Sequence, residues 1–144
     1  MQGKTAGGGV GLIAASDYAL AVSDAAIKLS ELALGLGPFV VGPVIEKKLG
    51  LAAFSALAVE ADWHSAAWAE RHGLYAEVVE TQPALDARVR DFTRKLAGYS
   101  PEAMRRLKAT FWEGTEHWPE LLAARAGISG ALVLSEFTRK AIGA

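Results

Sequence analysis

The sequence contains no cysteine, which excludes both a disulfide framework and thiolate chemistry. It has no excess of charge either. Fifteen basic and 16 acidic residues leave a net charge of −1, well mixed along the chain, which argues against nucleic acid or an anionic membrane as the main partner. No apolar run approaches the roughly 18 residues of a membrane span, and no signal-peptide pattern is present, so the chain reads as soluble and cytoplasmic. Internal repeats and low-complexity segments are also missing. Histidine is scarce: His64, His72 and His117 lie far apart and none has metal-ligand spacing, so no metal is expected. No Ser-His-Asp arrangement suggests itself.

What the chain does have is apolar material and glycine. With 144 residues and 51% hydrophobic content, it offers one domain's worth of core, or part of a larger one. The organising stretch is Gly3-Lys4-Thr5-Ala6-Gly7-Gly8-Gly9-Val10-Gly11-Leu12, where three consecutive glycines run into an apolar, helix-like segment. Glycine admits positive φ and lets a ligand approach the main chain. The helix start leaves several N–H groups without partners and carries partial positive charge. Together these suit an anion, or a carbonyl oxygen gaining charge during a reaction. A linker, a tag remnant or a tight packing turn would look the same. A P-loop is excluded because no Gly-Lys-Ser/Thr follows, and the dinucleotide fingerprint fits poorly. The run begins so early that no strand is expected to feed it.

Downstream, Val10–Ser16 predicts a short helix and Tyr18–Val22 a buried strand. Ile27, Lys28, Leu29, Ser30 and Glu31 alternate, which places Ile27, Leu29 and Glu31 on one strand face. A carboxylate there would be desolvated, with a raised pKa suited to proton exchange. Alternatively the strand ends at Ser30, and Glu31 turns to solvent or caps the next segment. Gly35-Leu36-Gly37-Pro38 is a turn cluster. Pro43 predicts a helix to Leu49 stopped by Gly50, with a second helix from Leu51 to about Val59. Ser65 caps a third, Ala66–His72, ended by Gly73, and Leu74–Val79 reads as a strand. From Gln82 the pattern is helical. Leu85, Val89, Phe92 and Leu96 mark one helix. Ser100-Pro101-Glu102 starts the next, with Met104, Leu107 and Phe111 on one face. A last helix is expected from near Pro119 towards Ala141, with Ala123, Gly127, Gly130 and Ala131 along one side. Trp112 and Trp118 read as packing at a helix–helix turn. Arg105, Arg106 and Lys108 form a small basic face, either solvated or open to a phosphate-bearing ligand.

Several stretches agree in order and spacing with one family. They are Gly3-x-x-x-Gly7-Gly8-Gly9, Asp17-Tyr18, Ser23-Asp24-Ala25, Leu29-Ser30-Glu31 and Gly35-Leu36-Gly37-Pro38. Ala66-x-x-Ala69-x-x-x-Gly73-Leu74 and Ser135-Glu136-Phe137-Thr138-Arg139-Lys140-Ala141-Ile142 follow. Together they resemble the crotonase (enoyl-CoA hydratase/isomerase) superfamily over essentially the whole chain. Within it the chain is most similar to bacterial methylglutaconyl-CoA hydratase-type proteins of leucine breakdown.

The resemblance implies an α/β fold, a crotonase-like spiral of ββα units followed by helices that build a homo-trimer, often paired into a hexamer. Residues 1–81 would be the second half of the spiral core, with the oxyanion-loop helix. Residues 82–144 would be the helical oligomerisation region. The family's N-terminal half, carrying the other oxyanion N–H and most of the coenzyme A pocket, would be absent or supplied by another chain. The implied ligand is an acyl-CoA thioester, with no cofactor beyond the coenzyme A of the substrate. The Gly8 N–H would be an oxyanion donor and Glu31 the catalytic acid/base. Gly7, Gly9, Gly11, Pro38 and Phe39 would contact substrate. Gly11 stands where two-glutamate hydratases carry their first acid, so one carboxylate would have to act alone. The implied activity is hydration of a short or branched 2-enoyl-CoA. A double-bond isomerase of the same fold and a non-catalytic oligomerising or acyl-CoA-binding half are the alternatives.

Overall fold

Short strands and the glycine turn set the first layer of the computed structural model, which describes residues 1–143. Lys4–Ala6 forms β1 immediately ahead of the glycines, and Gly8–Ala15 follows as α1. This corrects the expectation that no strand feeds the glycine loop. Three residues are too few for a period-two pattern to show, and β1 is fixed by pairing in parallel with β3 (Ala26–Lys28), Thr5 opposite Ile27. The two-residue β4, His64–Ser65, adds to β3 antiparallel. A second sheet pairs β2 (Leu20–Val22) in parallel with β5 (Glu77–Val79). β1, β3 and β4 thus build one small sheet and β2 and β5 the other, with β2 and β3 joined by a tight turn.

The strand expected to run to Glu31 stops at Lys28. Ile27 and Leu29 are both fully buried, but Glu31 takes helical angles (φ −60°, ψ −41°) and opens a 3₁₀ turn over Leu32–Leu34. Helix α2, Gly42–Glu60, has Pro in its first turn and breaks at Gly50 (φ 77°, ψ 160°), the glycine expected to stop it. Ser65 caps α3 (Ala66–Arg71), its Oγ accepting from the Trp68 N–H at 3.2 Å. The core lies between these elements and includes Val10, Ala21, Ile27, Leu29, Ile45, Leu57 and Leu74.

Helices α4 (Gln82–Ala97) and α5 (Pro101–Phe111) start behind the side-chain caps Thr81 and Ser100. The single last helix expected towards Ala141 is instead two, α6 (Trp118–Val133) and α7 (Glu136–Gly143), bent by 73°. Ser135 supplies the reason: its Oγ accepts from the Thr138 N–H at 3.2 Å, capping a new helix where the old one would continue. Trp112 and Trp118 do pack edge to face across the α5–α6 turn, 5.8 Å between centroids. Among the described residues, no single helix is long and apolar enough to cross a membrane.

Candidate active site

The glycine turn owes its shape to Gly7, whose φ of 53° and ψ of −120° suit a residue without Cβ. Its N–H donates to Lys28 O at 2.9 Å, which locks the turn to the end of β3. Its carbonyl accepts from the N–H of Val10 at 2.9 Å and starts α1. The first-turn amides of Gly8 and Gly9 have no backbone acceptor among the described residues, as a helix start dictates. Gly8 faces open space, with nothing within 4 Å of where a Cβ would stand.

Glu31 comes back to this turn. Its carbonyl closes the following turn by accepting from the N–H groups of Leu34 (3.0 Å) and Leu36 (2.9 Å). Its carboxylate lies against Gly7: a Cβ added there would stand 3.2 Å from Glu31 Oε1. Among the described residues, Oε2 is buried with no partner and Glu31 takes part in none of the ion pairs. Of the two readings open from the sequence, neither holds whole. Glu31 does begin the next segment, yet its side chain turns inward, beside the glycine turn rather than beside Ile27 and Leu29. A buried carboxylate oxygen without a donor is costly, so such groups cluster where chemistry needs them. A free carboxylate beside unpaired helix-start amides can move a proton while the amides hold developing negative charge.

Gly9 packs on Thr5: an added Cβ would come within 2.6 Å of its Cγ2. Beside Gly9, a groove of about 380 Å³ runs along α1, lined by Thr5, Leu12, Ile13, Tyr18 and Leu20 among others. Gly11 is buried, and a Cβ there would meet Val41 Cγ1 at 2.8 Å. Val41 therefore closes the space beside Gly11, the position where the resemblance places the first acid of two-glutamate hydratases. Pro38 and Phe39 lie in the loop before α2. The Pro38 carbonyl accepts from the Gly42 N–H at 2.7 Å, and the Phe39 carbonyl from Arg125 Nη1 at 3.4 Å. The Phe39 ring folds over Gly37. The structure thus brings Glu31 against Gly7, the residue next to Gly8 and Gly9 in the chain, while the polar contacts of Pro38 and Phe39 go to Gly42 and Arg125.

The other candidates resolve elsewhere. His64 Nε2 lies 2.9 Å from Glu60 Oε2, close but not aligned as a hydrogen bond, and its ring begins a tilted His64–Trp68–His72 stack. Among the described residues no group of three His, Cys, Asp or Glu is placed to hold a metal ion. The basic face is tied down: Arg105 and Arg106 both pair with Glu102, and Lys108 with Asp17 at 2.8 Å. Sequence reasoning missed Val41 and Thr138. The local pattern Ser135-x-x-Thr138 signals a cap, but nothing in it signals where the cap docks.

A family model described as enoyl-CoA hydratase/isomerase matches residues 1–139. Similar solved structures include an enoyl-CoA hydratase/isomerase from Pseudoalteromonas atlantica (18% identity, TM-score 0.88), matched over 98% of this chain and 57% of that one. An enoyl-CoA hydratase from Mycobacterium avium (25%, TM-score 0.83) is covered over 99% and 56% respectively. One from Mycobacterium smegmatis (26%, TM-score 0.74) likewise matches 99% of this chain and 56% of its own. The chain thus spans a little over half the length of these proteins. None of the curated proteins compared with it matches. The crotonase-like α/β fold that the resemblance implies is the fold of these structures.

Proposed function

The chain belongs to the enoyl-CoA hydratase/isomerase family, and on that premise we propose that it carries the acid/base half of a site that hydrates a short or branched 2-enoyl-CoA, methylglutaconyl-CoA being one such substrate. The observation that supports this most is the unpartnered Glu31 carboxylate against Gly7, beside the free Gly8 N–H. Glu31 takes a proton from water as the water oxygen bonds to C3 of the enoyl thioester. The C2=C3 electrons move onto the thioester oxygen, which the Gly8 N–H holds as an enolate. Glu31 then returns the proton to C2, so that one water is added and the carboxylate is restored. Losing one donor of this kind costs about 10²–10³ in rate. The groove beside Gly9 offers an apolar wall for the acyl chain. Helices α4–α7 form the surface for a homo-trimer or hexamer, since Leu107, Phe111, Ile128 and Phe137 stand 47–64% exposed on them.

The test follows loss of enoyl-thioester absorbance with crotonyl-CoA or methylglutaconyl-CoA. Turnover that falls about 10²-fold or more in Glu31→Gln is expected. Unchanged turnover in that variant overturns the assignment. A second reading, double-bond isomerisation, is favoured by the closure of Gly11 under Val41. One carboxylate suffices to carry a proton between C2 and C4, and 2-enoyl product from a 3-enoyl-CoA without net hydration would establish it.

A further inference from the structure

Thr138 is the one buried polar or charged residue among those described, and it lies far along the chain from the site. Its Oγ1 donates to Gly35 O at 3.3 Å and accepts from Ser135 Oγ at 3.0 Å. Gly35 closes the turn that Glu31 begins, with φ at 77° and its N–H on Leu32 O. The fit there is tight: a Cβ on Gly35 would meet Phe137 Cδ1 at 2.5 Å and Thr138 Oγ1 at 2.7 Å. Without Thr138, the Glu31 turn would keep only its own short-range bonds, and the Gly35 carbonyl would lose its donor from α7.

We propose that Thr138 is a positioning residue whose buried hydroxyl bolts α7 to the Glu31 turn, so that the C-terminal helix sets where the Glu31 carboxylate rests against Gly7. The hydroxyls act in series: Ser135 donates to Thr138, Thr138 donates to Gly35, and Ser135 meanwhile caps α7 by accepting from the Thr138 N–H. Such a chain has one satisfied arrangement, which couples the start of α7 to the turn without any contact to substrate. The inference rests on the proposed role of Glu31 only for its consequence in turnover.

The test is amide hydrogen exchange on the full chain. In Thr138→Val the Leu34, Gly35 and Leu36 amides are expected to exchange about tenfold faster, with α1 and β3 unchanged. Thr138→Ser, which keeps the hydroxyl, restores wild-type exchange. Should Thr138→Val fail to fold, the comparison of Thr138→Ser with Thr138→Ala isolates the same hydroxyl. Exchange at these three amides that is the same with and without the hydroxyl, or faster by the same factor throughout the protein, overturns the proposal. In a turnover assay, kcat falls in Thr138→Val with KM unchanged. A wild-type chain without turnover counts against the hydratase reading alone, because the exchange result decides the clasp by itself.

Discussion

Helices α1 and α5 are of similar length and rich in apolar side chains, but they meet opposite fates. Helix α1 buries Val10, Gly11, Ile13 and Ala14. Helix α5 buries nothing, and Met104, Leu107 and Phe111 remain 39%, 53% and 47% exposed. The contrast extends to the regions around them. Among the described residues every buried apolar one but Leu85 precedes Gln82, whereas the helices after it supply, besides Leu85, only Thr138 to the interior. A clean amphipathic stripe thus tells that a helix has something to cover, not that the covering lies in the same chain. Helix α1 shows the converse: apolar on nearly all sides, it is held between strands and α2, and only Leu12 stands out at 77% exposure. The glycine turn and Glu31 belong to the closed region, where packing can hold a carboxylate oxygen without a partner.

The largest effect should come from breaking the closed region. Ile27, fully buried at the centre of β3, leaves a cavity in Ile27→Ala and is expected to lower stability by about 2–5 kcal/mol. Leu107→Ala in α5 is expected to change it by no more than about 0.5 kcal/mol, while reducing self-association in sedimentation. Denaturant unfolding and sedimentation of both variants check the contrast. Equal loss of stability would mean that α5 is packed as β3 is.

What the sequence made legible was local. The break at Gly50, the caps at Ser65 and Ser100, and the turn at Gly35 each follow from one residue's backbone preference or side-chain reach. Strand β1 was not legible, because three residues gain their structure from a partner across the sheet. Nor was the α6–α7 break, where Ser135 overrides a continuous apolar pattern. Glu31 stood out by its alternation with Ile27 and Leu29, which proved the wrong geometric reason. The matching of Leu29-Ser30-Glu31 to the family pattern pointed to the same residue, and the structure then placed it beside Gly7. The filling of the space over Gly11 by Val41, and the docking of Thr138 on Gly35, are contacts between distant segments that no single stretch announces.

Glycine substitution sharpens the regional contrast at smaller cost. Gly11→Ala drives a Cβ to 2.8 Å from Val41 Cγ1, an overpacking expected to destabilise by about 1–3 kcal/mol before any gain in helix propensity. Adding Val41→Ala should recover part of the loss, giving a coupling between the two sites. Gly127→Ala in α6, with nothing within 4 Å of the new methyl, is expected to stabilise by up to about 1 kcal/mol. Opposite signs in thermal unfolding support the comparison, and a loss at Gly127 would reveal a neighbour that closes on α6.

The finest distinction is between two buried hydroxyls. Thr138 has its partners, whereas Tyr75, 1% exposed, has none for its hydroxyl. Burial pushes the Tyr75 phenol up to about 12, from an ordinary value near 10. The folded protein therefore keeps that proton over a range in which the unfolded chain has lost it. Between about pH 10 and 12 the unfolded state binds fewer protons, so stability falls as pH rises, by about 2 kcal/mol across that range. Tyr75→Phe removes both the titration and the orphaned hydroxyl. It is expected to be as stable as the parent or about 1 kcal/mol more so at neutral pH, and to lack the alkaline decline that is specific to the parent. Stability measured against pH for both proteins checks this, and parallel curves would mean that the Tyr75 hydroxyl reaches water in the folded protein. Thr138→Val moves the other way at neutral pH, because there the hydroxyl removed is one the fold uses.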